Sequence, residues 1–130
     1  MKTRYYLGID MGAKRIGLAT GDSETKFAVP LKTVAPRELA QTIASLSPFD
    51  GFVIGLPRGL DGQTTPQTLA VQHWVDDLIG DRTEPIIWQD EAGTSSQAED
   101  ILKQSRRSFD RAEIDAGAAA IILQDYLNTL

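Results

Sequence analysis

The chain has no cysteine and one histidine, His73. Disulfides and thiolate chemistry are therefore excluded. His73 falls in the middle of an expected helix and reads as a surface or packing residue. Long apolar runs are also missing: none approaches the roughly 18 residues of a membrane span. The Lys-Thr-Arg start lacks the apolar core of a signal peptide, so the expectation is a cytoplasmic protein with no membrane partner. Positive charge is in deficit, with 13 Lys and Arg against 18 Asp and Glu, a net charge of −5. That balance argues against a protein that coats nucleic acid by bulk attraction, though not against local phosphate contacts. Two basic clusters could supply them, Lys14 with Arg15, and Lys103 with Arg106, Arg107 and Arg111. Each reads equally as a solvated surface.

What is present is ordinary globular composition, 42% apolar and 24% charged over 130 residues. This suits one domain, residues 1–130, with a single buried core. No repeat, low-complexity tract or linker interrupts it. Hydrophobic runs with β-branched residues predict strands at about 4–10, 16–21 and 27–34. VAPRELAQTIASL predicts a helix with Pro36 at its opening and Leu39, Ile43 and Leu46 on one face. GFVIGLP is a buried strand ending in a Gly/Pro loop. Thr65-Pro66 then caps and opens a helix that buries Val71, Val75 and Leu78. EPIIWQDE is a fifth strand. Thr94 and Gln97 form a capping box for a helix with Ala98, Ile101 and Leu102 inward. Asp110 and Glu113 introduce the last helix, AEIDAGAAAIILQDYLNTL.

Three leading strands make an antiparallel meander, and the two later strands arrive through helical crossovers that require parallel pairing. The expected architecture is an α/β fold, a mixed five-stranded sheet with strands one, four and five parallel and helices on both faces. Asp10, the Gly55 loop and Glu91 then lie past the carboxyl ends of the parallel strands, the edge where open α/β sheets bind ligands.

Three acidic positions stand out, each with a structural alternative. Alternation puts Tyr6, Gly8 and Asp10 on one face of the first strand. Gly8 would leave the carboxylate face open for a bulky substrate, but Asp10 reads as well as a turn cap. IIWQDEAG closes the fifth strand, where only one of the Asp90–Glu91 pair can share the face of Trp88. A strand-ending turn would use Asp90 and Gly93. Asp115 lies one turn into the last helix, where an acid gains about 0.3–1 kcal/mol from the helix dipole. The small residues Ala116 to Ala120 beside it must pack closely on the sheet or on a ligand. If three carboxylates gathered within about 5 Å, each pair would repel by roughly 3 kcal/mol at an effective dielectric near 20. Such a set requires a divalent cation, and oxygen-only ligands point to Mg²⁺ or Mn²⁺. Two such ions activate water and stabilise the leaving oxygen in phosphodiester hydrolysis.

LGIDMGAKRIGLATGD, VIGLPRGLDGQ, QDEAGTSSQAEDIL and IDAGAAAIILQDYL occur in the order and spacing of the YqgF/RuvX family, which the chain resembles from about residue 4 to 127. That family comprises Holliday junction resolvases, also described as pre-16S ribosomal RNA nucleases. The resemblance implies a ribonuclease H-like fold, with the five-stranded sheet in the order 3-2-1-4-5, and a two-metal nuclease acting on structured RNA or branched DNA. By the same resemblance, Asp10, Glu91 and Asp115 are the catalytic, metal-binding carboxylates. The loop motif falls on Gly55, Leu56, Pro57, Asp61 and Gly62. Lys14, Arg15 and Arg58 become expected nucleic-acid contacts. One departure is Ala92, where the family carries Arg after Asp-Glu. Its missing guanidinium could be covered by Arg15 or Arg58.

Two other classes compete. Sugar-kinase and actin-type ATPases also pair a strand-end Asp with a Gly-rich hairpin, but they close two domains over a nucleotide and 130 residues supply one. A non-catalytic nucleic-acid or ribosome-associated adaptor with the same fold is the alternative favoured by the net charge and Ala92. A resolvase cutting two strands symmetrically would prefer a homodimer.

Overall fold

The protein is described here by a computed structural model covering residues 2–59, 62–91 and 111–130. Its strands are β1 (Tyr5–Asp10), β2 (Ile16–Asp22), β3 (Ala28–Val34), β4 (Gly51–Pro57) and β5 (Ile86–Glu91). They form one sheet of order β3-β2-β1-β4-β5. β1, β2 and β3 pair antiparallel, whereas β4 and β5 run parallel to β1. The expected mixed sheet and its order are therefore found.

The helices divide between the two faces. After a 3-10 turn at Pro36–Glu38, α1 spans Leu39–Leu46, α2 spans Pro66–Ile79 and α3 spans Arg111–Leu127. The 3-10 turn replaces the first turn of the expected helix. There Pro36 supplies no N–H, and the Glu38 carboxylate accepts the Ala35 N–H at 2.9 Å.

Odd positions of β1 face one side. Leu7 and Ile9 join Ile16, Leu18, Phe52 and Ile54 beneath Leu39 and Ile43 of α1 and Val71, Val75 and Ile79 of α2. Tyr6 faces the other side, with Ala19 and Val53, beneath Ala119, Ile122, Leu123 and Leu127 of α3. Removing each large side chain from water is worth about 1.5–3 kcal/mol, so this two-sided burial fixes the strand register. In α2, Leu78 is only partly buried and Ile79 takes the core position.

α3 is also tied to the edge strand. The Thr33 hydroxyl donates to the Ala112 carbonyl at 2.7 Å. The Gln124 side chain accepts the Ala28 N–H at 2.9 Å and donates to the Lys26 carbonyl at 2.7 Å. The expected helix carrying Ala98, Ile101 and Leu102 lies outside the described residues.

Gly8 does not leave a face open. A side chain there would meet Leu123 Cβ at 2.7 Å and the Ala119 carbonyl at 2.9 Å. Its missing Cβ is the space into which α3 packs. Alternation correctly gives the face of Gly8, but not what fills it.

Candidate functional site

Parallel pairing of β1, β4 and β5 brings their carboxyl ends to one edge. Asp10 ends β1 there, Pro57 and Arg58 follow along β4, and Glu91 closes β5 opposite Pro57. The Glu91 side chain lies outside the described part of the structure, so its expected role is placed only by its strand position.

Asp10 and Asp115 are brought together by the backbone. Asp10 stands opposite Gly17 across the β1–β2 ladder. The α carbon of Gly17 presses against the Asp115 carbonyl, and a methyl group there would run into it. Glycine at this point lets α3 approach β2 at the level of Asp10, setting Asp115 beside the first acid. Burial pushes the Asp10 carboxyl up to about 6, and the neighbouring Asp115 charge adds to the shift. A carboxyl so raised is a group short of a cation.

The turn between β1 and β2 sends a cation to the second acid instead. Arg15 Nε donates to Asp115 Oδ2 at 2.8 Å, with the arginine side chain 42% exposed and the aspartate 19%. Lys14, the residue before it, is exposed. Met11 anchors the start of the same turn in the core.

The loop after β4 is fixed from both ends. Thr65 and Thr68 cap α2 reciprocally, the Thr68 N–H donating to Thr65 Oγ1 at 3.2 Å and Thr68 Oγ1 accepting the Thr65 N–H at 3.0 Å. The buried Thr68 hydroxyl also donates to the Pro57 carbonyl. Arg58 Nη1 donates to the Gly62 carbonyl at 3.3 Å. Arg58 Nε lies 3.3 Å from Asp90 Oδ1, an ion-pair distance without hydrogen-bond alignment. Arg58 therefore reaches from the end of β4 to the end of β5. Asp61 lies outside the described residues. His73, as expected, is a surface residue, 3.2 Å from Asp77.

Of the six expected site residues, Asp10, Asp115 and Arg15 converge. Lys14 stands beside them in the turn, and Arg58 lies along the same sheet edge. Two participants escaped the sequence reading, Gly17 as the point of close approach and Asp90 as the partner of Arg58. Gly17 carried a weak signal, a glycine near the start of the strand that returns beside Asp10. The residue that α3 would bring against it, 98 positions later, carried none.

The donor set suits a hard divalent cation. Its described acids offer only carboxylate oxygens, and Asp10 gains most from a positive charge. Among the described residues, no three His, Cys, Asp or Glu side chains form a complete metal cluster.

Comparison with known proteins follows the same lines. The profile of the RuvX family, described as Holliday junction resolvase, matches residues 4–129. Three curated relatives share the name "Putative pre-16S rRNA nuclease". That of Thermosynechococcus vestitus is 38% identical, covering 94% of this chain and 86% of its own. That of Chloroflexus aggregans is also 38% identical, covering 98% and 96%. That of Salinibacter ruber is 36% identical, covering 94% and 91%. Among solved structures, "T. thermophilus RuvC in complex with Holliday junction substrate" superposes with a TM-score of 0.52 at 14% identity, covering 97% of this chain and 94% of that one. That likeness gives the fold as ribonuclease H-like. With a family profile and relatives both matching nearly end to end, this chain belongs to the RuvX family of nucleases.

Proposed function

We propose that residues 1–130 form one cytoplasmic nuclease domain that depends on a divalent cation, Mg²⁺ or Mn²⁺, held by Asp10, Glu91 and Asp115. The observation that carries this reading is the meeting of Asp10 and Asp115 at the sheet edge, where Asp10 is half-buried and crowded by like charge. When bound, the cation supplies the charge that activates water and stabilises the leaving oxygen. Asp10 acts as a fixed carboxylate whose ionised form the cation favours. Asp115 is aimed at it by the Gly17 contact and by Arg15. Lys14, Arg15 and Arg58 line the approach and hold the phosphate backbone.

The substrate is structured nucleic acid, either the 5′ end of pre-16S ribosomal RNA or branched DNA of the Holliday junction type. The curated relatives' name favours the first, and the family description favours the second. A homodimer would match the symmetry of a four-way junction.

Cleavage of a 16S precursor RNA and of a four-way DNA junction, measured with Mn²⁺ and with chelator, tests the reading. Wild type should cut at least one of them only with the metal. Asp10→Asn should lose at least about 100-fold in rate, in line with removal of a charge-stabilising group, and should keep its circular dichroism spectrum. Cutting in chelator, or by Asp10→Asn, would remove the metal or Asp10 from the mechanism. A wild type that binds both substrates and cuts neither would be an adaptor.

A further inference from the structure

We propose that Arg15 is a displaceable counter-ion of the metal site. In the metal-free protein its guanidinium neutralises Asp115, and a divalent cation taken up by Asp10 and Asp115 releases it toward the phosphate of the incoming strand. The inference rests on the assignment of those two acids as metal ligands.

The contact has the features of a placeholder. It is made by Nε alone, at 2.8 Å, rather than by the two-pronged fork that locks an arginine onto a carboxylate. Among the described residues no other hydrogen bond restrains the Arg15 side chain, which remains 42% exposed. Arg15 stands in the turn one residue before β2, so its movement disturbs no strand pairing.

Electrostatics sets the direction of exchange. A guanidinium carries one delocalised charge and cannot bring it within coordination distance of an oxygen. Mg²⁺ or Mn²⁺ carries two and coordinates carboxylate oxygens at roughly 2.0–2.2 Å. Once the acids are neutralised by metal, Arg15 loses its reason to remain. The released side chain then joins the neighbouring exposed Lys14 at the mouth of the site. Metal binding and phosphate binding are thereby coupled favourably, and the coupling is reciprocal.

Calorimetric titration with Mn²⁺, without nucleic acid, tests the exchange in the 130-residue protein. Arg15→Gln should bind Mn²⁺ about fivefold more tightly than wild type, the order expected when the metal no longer has to displace a partly exposed ion pair. Arg15→Lys, which keeps the charge, should stay within about threefold of wild type. Structural damage would weaken binding, so tightening separates the proposal from a merely structural role. Unchanged or weaker affinity in Arg15→Gln overturns the inference. Asp10→Asn and Asp115→Asn are titrated alongside. If both lose Mn²⁺ while Arg15→Gln fails to tighten, the metal site stands and the counter-ion role falls. If both bind as wild type does, the site assignment falls and the counter-ion with it.

Discussion

With its carboxyl pushed up to about 6 by burial and by the charge of Asp115, Asp10 works against the fold at neutral pH. Its unfolded value is near 3.8, so between these two values the folded chain holds a proton that the unfolded chain has lost. The stability of the metal-free protein therefore falls as pH rises through this window, and the full penalty applies above it. The shift corresponds to a penalty on the order of 2–3 kcal/mol at pH 8. Asp10→Asn removes the titration, and its unfolding free energy in chelator should exceed that of wild type by this order at pH 8. Below pH 4 the difference should vanish. Urea unfolding at both pH values measures it, and a variant less stable than wild type at pH 8 would contradict the burial argument. Saturating Mn²⁺ at pH 8 should recover the loss in wild type and not in the variant, linking the strain at this residue to the ion it is proposed to hold.

At the scale of elements, the decisive contact is between β2 and α3 at Gly17. An added methyl there meets the Asp115 carbonyl, which is backbone and cannot rotate away. Gly17→Ala should therefore cost about 2–3 kcal/mol, the upper range for overpacking, and should weaken Mn²⁺ binding by displacing Asp115. Gly117→Ala provides the contrast: a methyl at that position has no neighbour within 4 Å. It should be neutral or stabilise by up to about 1 kcal/mol through helix propensity. Denaturant midpoints of the two variants decide the matter, and equal effects would refute the close-approach argument. The same contact shows what a sequence makes legible. Period-two alternation identified the strands and placed Asp10 on the face of Tyr6 and Gly8. Crossover rules then made β4 and β5 parallel to β1. Those signals are local or topological. The filling of Gly8 by Leu123 and the pairing of Arg15 with Asp115, 100 positions away, depend on how α3 settles on the sheet. Nothing in β1 or its turn encodes that docking.

For the molecule as a whole, a net charge of −5 means that nucleic acid must be held by a few local cations against a repulsive average field. Lys14, Arg15 and Arg58 are the candidates at the sheet edge. Arg15 is already paired with Asp115, and Arg58 stands beside an Asp90 that is 75% exposed and easily left. Each phosphate neutralised contributes about −0.9 to the slope of log K against log salt on a duplex, so two or three contacts give a slope of about −2 to −3. The second basic cluster, Lys103, Arg106, Arg107 and Arg111, would roughly double that value if it joined the interface. Fluorescence anisotropy on a four-way junction, using Asp10→Asn in chelator to prevent cutting, should give the shallow slope. Lys14→Ala and Arg58→Ala should each reduce it by about one. A slope that neither substitution alters, about −3.6 if the four residues of the second cluster act alone, would move the phosphate path away from the β1–β2 turn and onto that cluster.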